Sequence, residues 1–302
     1  MTSAQSDRWM PKTLRPAVPV RRRPRLMIPR EHGAYAELLF PIVAVLLGGV
    51  PTRSAWLFTV AVIACFVANE PLLVISGHRG TRASRDSGRQ ARRVLGLTLF
   101  VAVVTGGLAL WYASTMARTA SLIPMLLGAL LATMASRGLE RRLLGETLAA
   151  LALSSVAIPL GLMTGLGLTP SVYVAAIWFA ASLLGTSAAR LTIAGSRAKT
   201  EADVFRVRHK WAALFLICVV LCGLGVLAPM TPKGPLWILA AILPVALATL
   251  AFSIAKPSAS SLRLVGWGLV SANLCTLAIV VFALRIVADI QAVKSTLPFP
   301  MF

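Results

Sequence analysis

The chain has 302 residues, 57% of them hydrophobic and only 13% charged, with a mean hydropathy of +0.80 and a formal net charge of +20. Soluble domains use about 45–50% apolar residues, so the composition excludes an ordinary soluble globular domain. The basic charge would point to nucleic acid in a soluble protein. Here it falls in short stretches between long apolar runs, where membrane topology and anionic headgroups account for it, and nucleic acid is not expected as a partner.

Residues 1–26 are polar, proline-rich and basic, with the run Arg21-Arg22-Arg23-Pro24-Arg25. Such a composition cannot bury a core and reads as a disordered basic arm on the cytoplasmic side, near anionic lipid. Residues 27–302 read as a single transmembrane helical domain. Its apolar runs cover 34–50, 54–76, 94–113, 119–136, 144–166, 170–193, 211–229, 235–254 and 264–287. Each is near the ~20 residues needed to cross a hydrocarbon core. Further spans follow the first run, which favours an uncleaved helix over a signal peptide. The fourth run is short and flanked by Arg118 and Arg137. The expected fold class is all-α, a polytopic transmembrane bundle of about nine helices.

Pro51, Pro170 and Pro235 stand at joins between runs, where a missing N–H does no harm. Pro41, Pro124, Pro159 and Pro244 fall inside runs, where kinks survive if neighbours satisfy the freed carbonyls. The four cysteines all lie in apolar runs and imply neither a disulfide framework nor a metal site. The three histidines, His32, His78 and His209, match no metal-site spacing.

Charge fixes the orientation. With the N-terminus in the cytoplasm, nine spans leave only Arg53, Arg118, Lys233, Arg285 and Lys294 outside, against 25 of the 30 basic residues inside. That asymmetry is what the positive-inside rule requires.

Two stretches between spans are the most charged. The first follows Asn69-Glu70-Pro71 and holds Arg79, Arg82, Arg85, Arg89, Arg92 and Arg93 against the single acid Asp86. If helical, Arg82, Arg85, Arg89 and Arg92 share one face. Guanidinium groups grip phosphate oxygens bidentately and keep their charge, so this face suits an anion. A cytoplasmic loop is rich in Lys and Arg without any ligand, and that reading stands beside it. The second stretch holds Arg197, Lys199, Arg206, Arg208, His209 and Lys210 with Glu201 and Asp203. Charges within spans are costly and mark either function or interhelical pairing. Glu37, Glu70, Glu146 and Arg190 all fall in the cytoplasmic third, level with Arg30, Glu31 and His32, and could floor a polar cavity.

The opening Ile28-Pro29-Arg30-Glu31-His32-Gly33-Ala34-Tyr35-Ala36, continued by Glu37-Leu38-Leu39-Phe40-Pro41, resembles the start of the YwiC-like family of bacterial membrane proteins. Asn69-Glu70-Pro71-Leu72-Leu73 and its arginine-rich sequel are similar to the same family. The resemblance implies a multi-pass protein of the bacterial cytoplasmic (inner) membrane. A more distant resemblance is to UbiA-type intramembrane prenyltransferases, with nine helices and functional stretches after helices 2 and 6. Asn69 and Glu70 match the first two positions of that family's first motif, whose further aspartates hold magnesium and a prenyl diphosphate. Residues 71–77 supply no further acid, and Glu201 and Asp203 are not a spaced aspartate series. The resemblance therefore implies a UbiA-like arrangement without the metal half of the chemistry; magnesium is disfavoured and no cofactor is expected.

Three function classes follow. In the first, an isoprenoid or other anionic lipid binds Arg30, His32, Asn69, Arg79, Arg82, Arg85, Arg89, Arg190, Arg206 and Arg208, with Glu37, Glu70 or Glu146 available as general base. In the second, the embedded acids serve a small-solute transporter or exporter. The third is a non-catalytic subunit of a membrane complex. Whether the chain is an enzyme and what its oligomeric state is are left open by the sequence. Nine spans place the C-terminus outside, so a phosphatase reporter fused after Phe302 is expected to be active. An inactive phosphatase paired with an active cytoplasmic reporter at the same site overturns the count.

Overall fold

The structure is a computed structural model describing residues 32–139, 143–227 and 240–296. Ten helices follow in order: α1 (His32–Gly48), α2 (Arg53–Ile75), α3 (Thr81–Tyr112), α4 (Thr115–Ser136), α5 (Leu143–Ser155), α6 (Ala157–Met163), α7 (Leu168–Arg197), α8 (Glu201–Leu227), α9 (Leu243–Ala255) and α10 (Leu262–Thr296). No strand occurs among the described residues. α5 and α6 form one rod interrupted at Val156, so the helices correspond to the nine apolar runs. α2, α3, α4, the α5–α6 rod, α7 and α10 are each long and apolar enough to cross a membrane, while α1 and α9 are shorter apolar helices. The basic arm, residues 1–26, and Arg30 and Glu31 lie outside the described residues.

Hydrocarbon offers no hydrogen-bond partner, so polar groups within spans must be satisfied from inside the chain. Several hydroxyls do this by bonding back to carbonyls one turn earlier: Thr59 to Ala55, Thr105 to Val101, Ser121 to Ala117, Ser154 to Ala150 and Thr192 to Ala188, all at 2.7–2.9 Å. The buried hydroxyls of Thr249 in α9 and Thr276 in α10 meet no hydrogen-bond partner among the described residues. Proline acts locally. Pro41, Pro71 and Pro124 are carried inside α1, α2 and α4. Pro159 lies four residues after Ser155, whose carbonyl it cannot bond, and the rod breaks between them. Pro244, expected inside a span, instead opens α9, where no N–H is needed.

Cross-contacts sort the turns onto two ends of the bundle. At one end Thr52 caps α2 by accepting from the Ala55 amide at 3.3 Å, while its hydroxyl donates to the Met163 carbonyl at 2.8 Å. The Val50 amide donates to the Thr164 carbonyl at 3.0 Å, and Arg285 Nε to the Leu47 carbonyl at 2.7 Å. The α1–α2 turn, the α6–α7 turn and the far part of α10 therefore share this end. At the opposite end, the α2–α3 and α4–α5 turns meet through His78 and the Ser136 carbonyl. These ends alternate along the chain as an up-and-down bundle requires.

The core runs between them through α1, α6, α7, α9 and α10, with Leu38, Ile42, Val45, Leu160, Ile177, Trp178, Val245 and Leu284 fully buried. Phe40 of α1 stacks on Trp178 of α7, ring centres 5.2 Å apart and planes within 9°. α3 packs chiefly on α2, and α8 on α9 and α7. The tightest crossing is between α6 and α7, where a Cβ on Gly161 would lie 2.1 Å from Ser171 Oγ and 2.8 Å from its Cβ. Gly161→Ala is expected to cost about 1–3 kcal/mol, the usual penalty for overpacking. A thermal unfolding scan in detergent checks this, and an unchanged midpoint contradicts so close a crossing.

Candidate functional site

The polar end is built from the α2–α3 turn outward. Gly77 and Gly80, at φ +80° and +95°, turn the chain back on itself, and the loop folds over the end of α2. Arg79 donates from its Nη2 to Glu70 Oε2 at 2.5 Å, and Glu70 is only 6% exposed. A carboxylate that deep is tolerated because the guanidinium neutralises it and occupies one of its oxygens. Tyr35 of α1 reaches the same place: its ring meets Phe66 edge-on at 5.1 Å and interacts electrostatically with Glu70.

His78 joins this turn to the next one. Its Nε2 lies 3.0 Å from the Ser136 carbonyl, and since that oxygen can only accept, Nε2 carries the proton. The ring rests against Gly138, whose φ is +70° and where a Cβ would stand 2.9 Å from the imidazole. Both demands, left-handed backbone and contact with a ring, call for glycine.

A second ion pair bridges α5 and α7, Arg190 Nη2 on Glu146 Oε1. The other oxygen, Glu146 Oε2, is buried and meets no hydrogen-bond partner among the described residues. Among the described residues no three His, Cys, Asp or Glu side chains come together in a way that could hold a metal ion.

The arginines after the first turn stand on a helix. α3 begins at Thr81, so the loop shrinks to residues 76–80 and Arg85, Arg89, Arg92 and Arg93 project from the first turns of a 32-residue helix. Ala91 is fully buried against Val74, which marks the side packed on α2; Arg85, Arg89, Arg92 and Arg93 point elsewhere and are exposed. The second charged stretch is helical from Glu201. Thr200 and Asp203 cap it reciprocally, the Thr200 hydroxyl donating to Asp203 Oδ2 at 2.7 Å and accepting from the Asp203 amide at 3.1 Å. Asp203 also lies 3.6 Å from Arg206, and His209 bonds the Phe205 carbonyl of its own helix. These acids thus start a helix. Arg206 and Arg208 are exposed on α8, on a different flank from α3.

Of the residues singled out from the sequence, Glu70 and Arg79 are brought together, as are Glu146 and Arg190. Asn69 is half-buried next to Glu70 on α2, and Glu37 is half-buried on α1. Arg30 and the side chains of His32 and Arg82 lie outside the described residues. The His78 bridge had no signal in spacing, because its partner is a backbone carbonyl 58 residues away.

A bundle of long apolar helices joined by short turns, with its ion pairs gathered at one end, defines a multi-pass helical membrane protein. Residues 28–160 match the model of the YwiC-like protein family, so the likeness read from the opening motif holds over α1 to α6, while Arg190, Arg206 and Arg208 lie beyond it. No curated protein and no solved structure matches the chain.

The Glu70–Arg79 pair makes a direct prediction. Glu70→Gln and Arg79→Gln each break the pair, and the double variant is expected to recover part of the loss. The coupling should be about 0.5–3 kcal/mol, read from unfolding midpoints of the four proteins. Strictly additive losses would mean that the pair does not hold the turn.

Proposed function

We propose that this protein binds the anionic headgroup of a membrane lipid on the exposed arginine face of α3, an isoprenoid diphosphate being the best-matched ligand. The observation that carries this reading is the length of α3. Thirty-two residues extend about 48 Å at 1.5 Å each, against a hydrocarbon core of about 30 Å. The excess holds Arg85, Arg89, Arg92 and Arg93 on a rigid rod at headgroup depth. Arginine there offers a planar, permanently charged fork to phosphate oxygens.

Binding is favoured over catalysis because two of the three candidate bases, Glu70 and Glu146, are already engaged by Arg79 and Arg190. The reading keeps the UbiA-like idea of a lipid diphosphate at the cytoplasmic face, with guanidinium in place of magnesium. It also places the N-terminus and the arginine-rich end in the cytoplasm and the protein in the bacterial inner membrane, following the asymmetry of basic residues. The interrupted α5–α6 rod favours a second reading, a small-solute transporter, since broken helices line solute sites in such proteins.

The test is binding of a polyprenyl diphosphate to the purified chain, with and without magnesium. Binding that needs no magnesium is expected, and it should weaken at least about tenfold when Arg85, Arg89 and Arg92 are replaced together by Lys. One lost charge-assisted bond is worth about 1.5–3 kcal/mol, and tenfold corresponds to about 1.4. Equal affinity in the Lys variant would falsify the arginine site, and binding abolished by a chelator would restore a metal to it.

A further inference from the structure

On the flank formed by α4, the α5–α6 rod and α7, the helices leave a groove of about 550 Å³, within the range of ligand pockets. Leu126, Leu151, Ile158, Val172, Ala175 and Phe179 line it. The two hydroxyls in its wall, Ser154 and Ser155, are bonded back to Ala150 and Ala152 and ask nothing of an occupant. Both the break at Val156 and the small Ala175 and Ala176 recess the wall here.

Position along the bundle gives the groove a direction. Its lining begins at Leu151, about 8 Å past Glu146 on the same rod, and ends at Phe179, about 16 Å from Arg190 on α7. The Glu146–Arg190 pair therefore stands on two of the groove's own helices, toward the polar end. That pair combines a guanidinium with Glu146 Oε2, a buried acceptor lacking a partner among the described residues.

We propose that the groove is a lipid-chain site. One hydrocarbon chain of a membrane phospholipid lies along α4, α5–α6 and α7, with its polar head at Glu146 and Arg190. A bilayer surrounds this flank, so an apolar recess is filled by hydrocarbon. The ion pair stands at one end of the recess, while at the other the Arg118 guanidinium on α4 is taken up by the Ala113 and Trp111 carbonyls, so an amphiphile lies head first toward the pair. The head's phosphate faces the part-exposed side chain of Arg190. This site is on a different flank from the α3 arginines and stands without them.

The experiment uses the full chain in phosphatidylcholine nanodiscs with a trace of phosphatidylglycerol bearing a diazirine within one acyl chain. After illumination, labelled residues are mapped by mass spectrometry. Labelling is expected to concentrate on Leu126, Leu151, Val172 and Phe179 over the equally lipid-facing Leu97, Val103 and Leu264, and to be competed by unlabelled phosphatidylglycerol. Ala176→Trp fills the recess from an exposed position and should abolish groove labelling while sparing α3; Leu126→Trp serves if the first variant does not fold. A second probe, with the diazirine in the headgroup, should label α5 near Glu146 or α7 near Arg190. Uniform labelling around the bundle, or groove labelling unaffected by the Trp variants, overturns the site. Headgroup labelling at Thr164–Gly167 overturns its orientation.

Discussion

A peptide group inside hydrocarbon has no solvent to bond, and the rest of this structure follows from that constraint. It makes every described span a helix, returns several intramembrane hydroxyls to their own backbone, and sets turns where substitute partners stand. The turn after α1 has Thr164 and Met163 as partners; the turn after α2 has Glu70 and the Ser136 carbonyl. Even the arginine at the α3–α4 turn, Arg118, serves this purpose, donating to the carbonyls of Ala113 and Trp111, both at 3.0 Å.

The same constraint explains why the acids and arginines at the polar end divide their work. Two acids within the spans, Glu70 and Glu146, are paired with Arg79 and Arg190. Arg85, Arg89, Arg92 and Arg93 of α3 and Arg206 and Arg208 of α8 are exposed, where water can satisfy them. Depth thus separates guanidinium groups that hold the bundle from those that face outward. Arg79 and Arg85 are only six positions apart, yet they belong to different classes.

The spans were legible because twenty apolar residues have one solution in a membrane. Pro159, Pro41 and Pro124 could be placed inside spans, but not which of them breaks its helix; only Pro159 separates two helices. The depth of Glu146 and Arg190 could be read from the topology, since both lie near polar ends of their runs. Their pairing could not, because a run fixes height and leaves rotation about the helix axis open. Arginines 82 to 93 read either as loop or as helix until Ala91 was seen packed on Val74, a contact across a hairpin that local spacing cannot show. Glu201 and Asp203 could be read as too close for a spaced aspartate series, but not that Asp203 caps α8, a role encoded by the threonine three residues before it.

Arg285 reaches from the last helix to the Leu47 carbonyl at the end of the first, and Leu284 beside it fills the space against Gly48. The chain therefore closes its bundle by joining its first span to its last. At a synthesis rate of about 5–20 residues per second, roughly ten to forty seconds separate the emergence of α1 from that of α10. During that interval the face of α1 that will receive Leu284 can meet only lipid or a chaperone. A chain cut short before α10 keeps that face open for good, which makes the arrival of α10 the event that seals it.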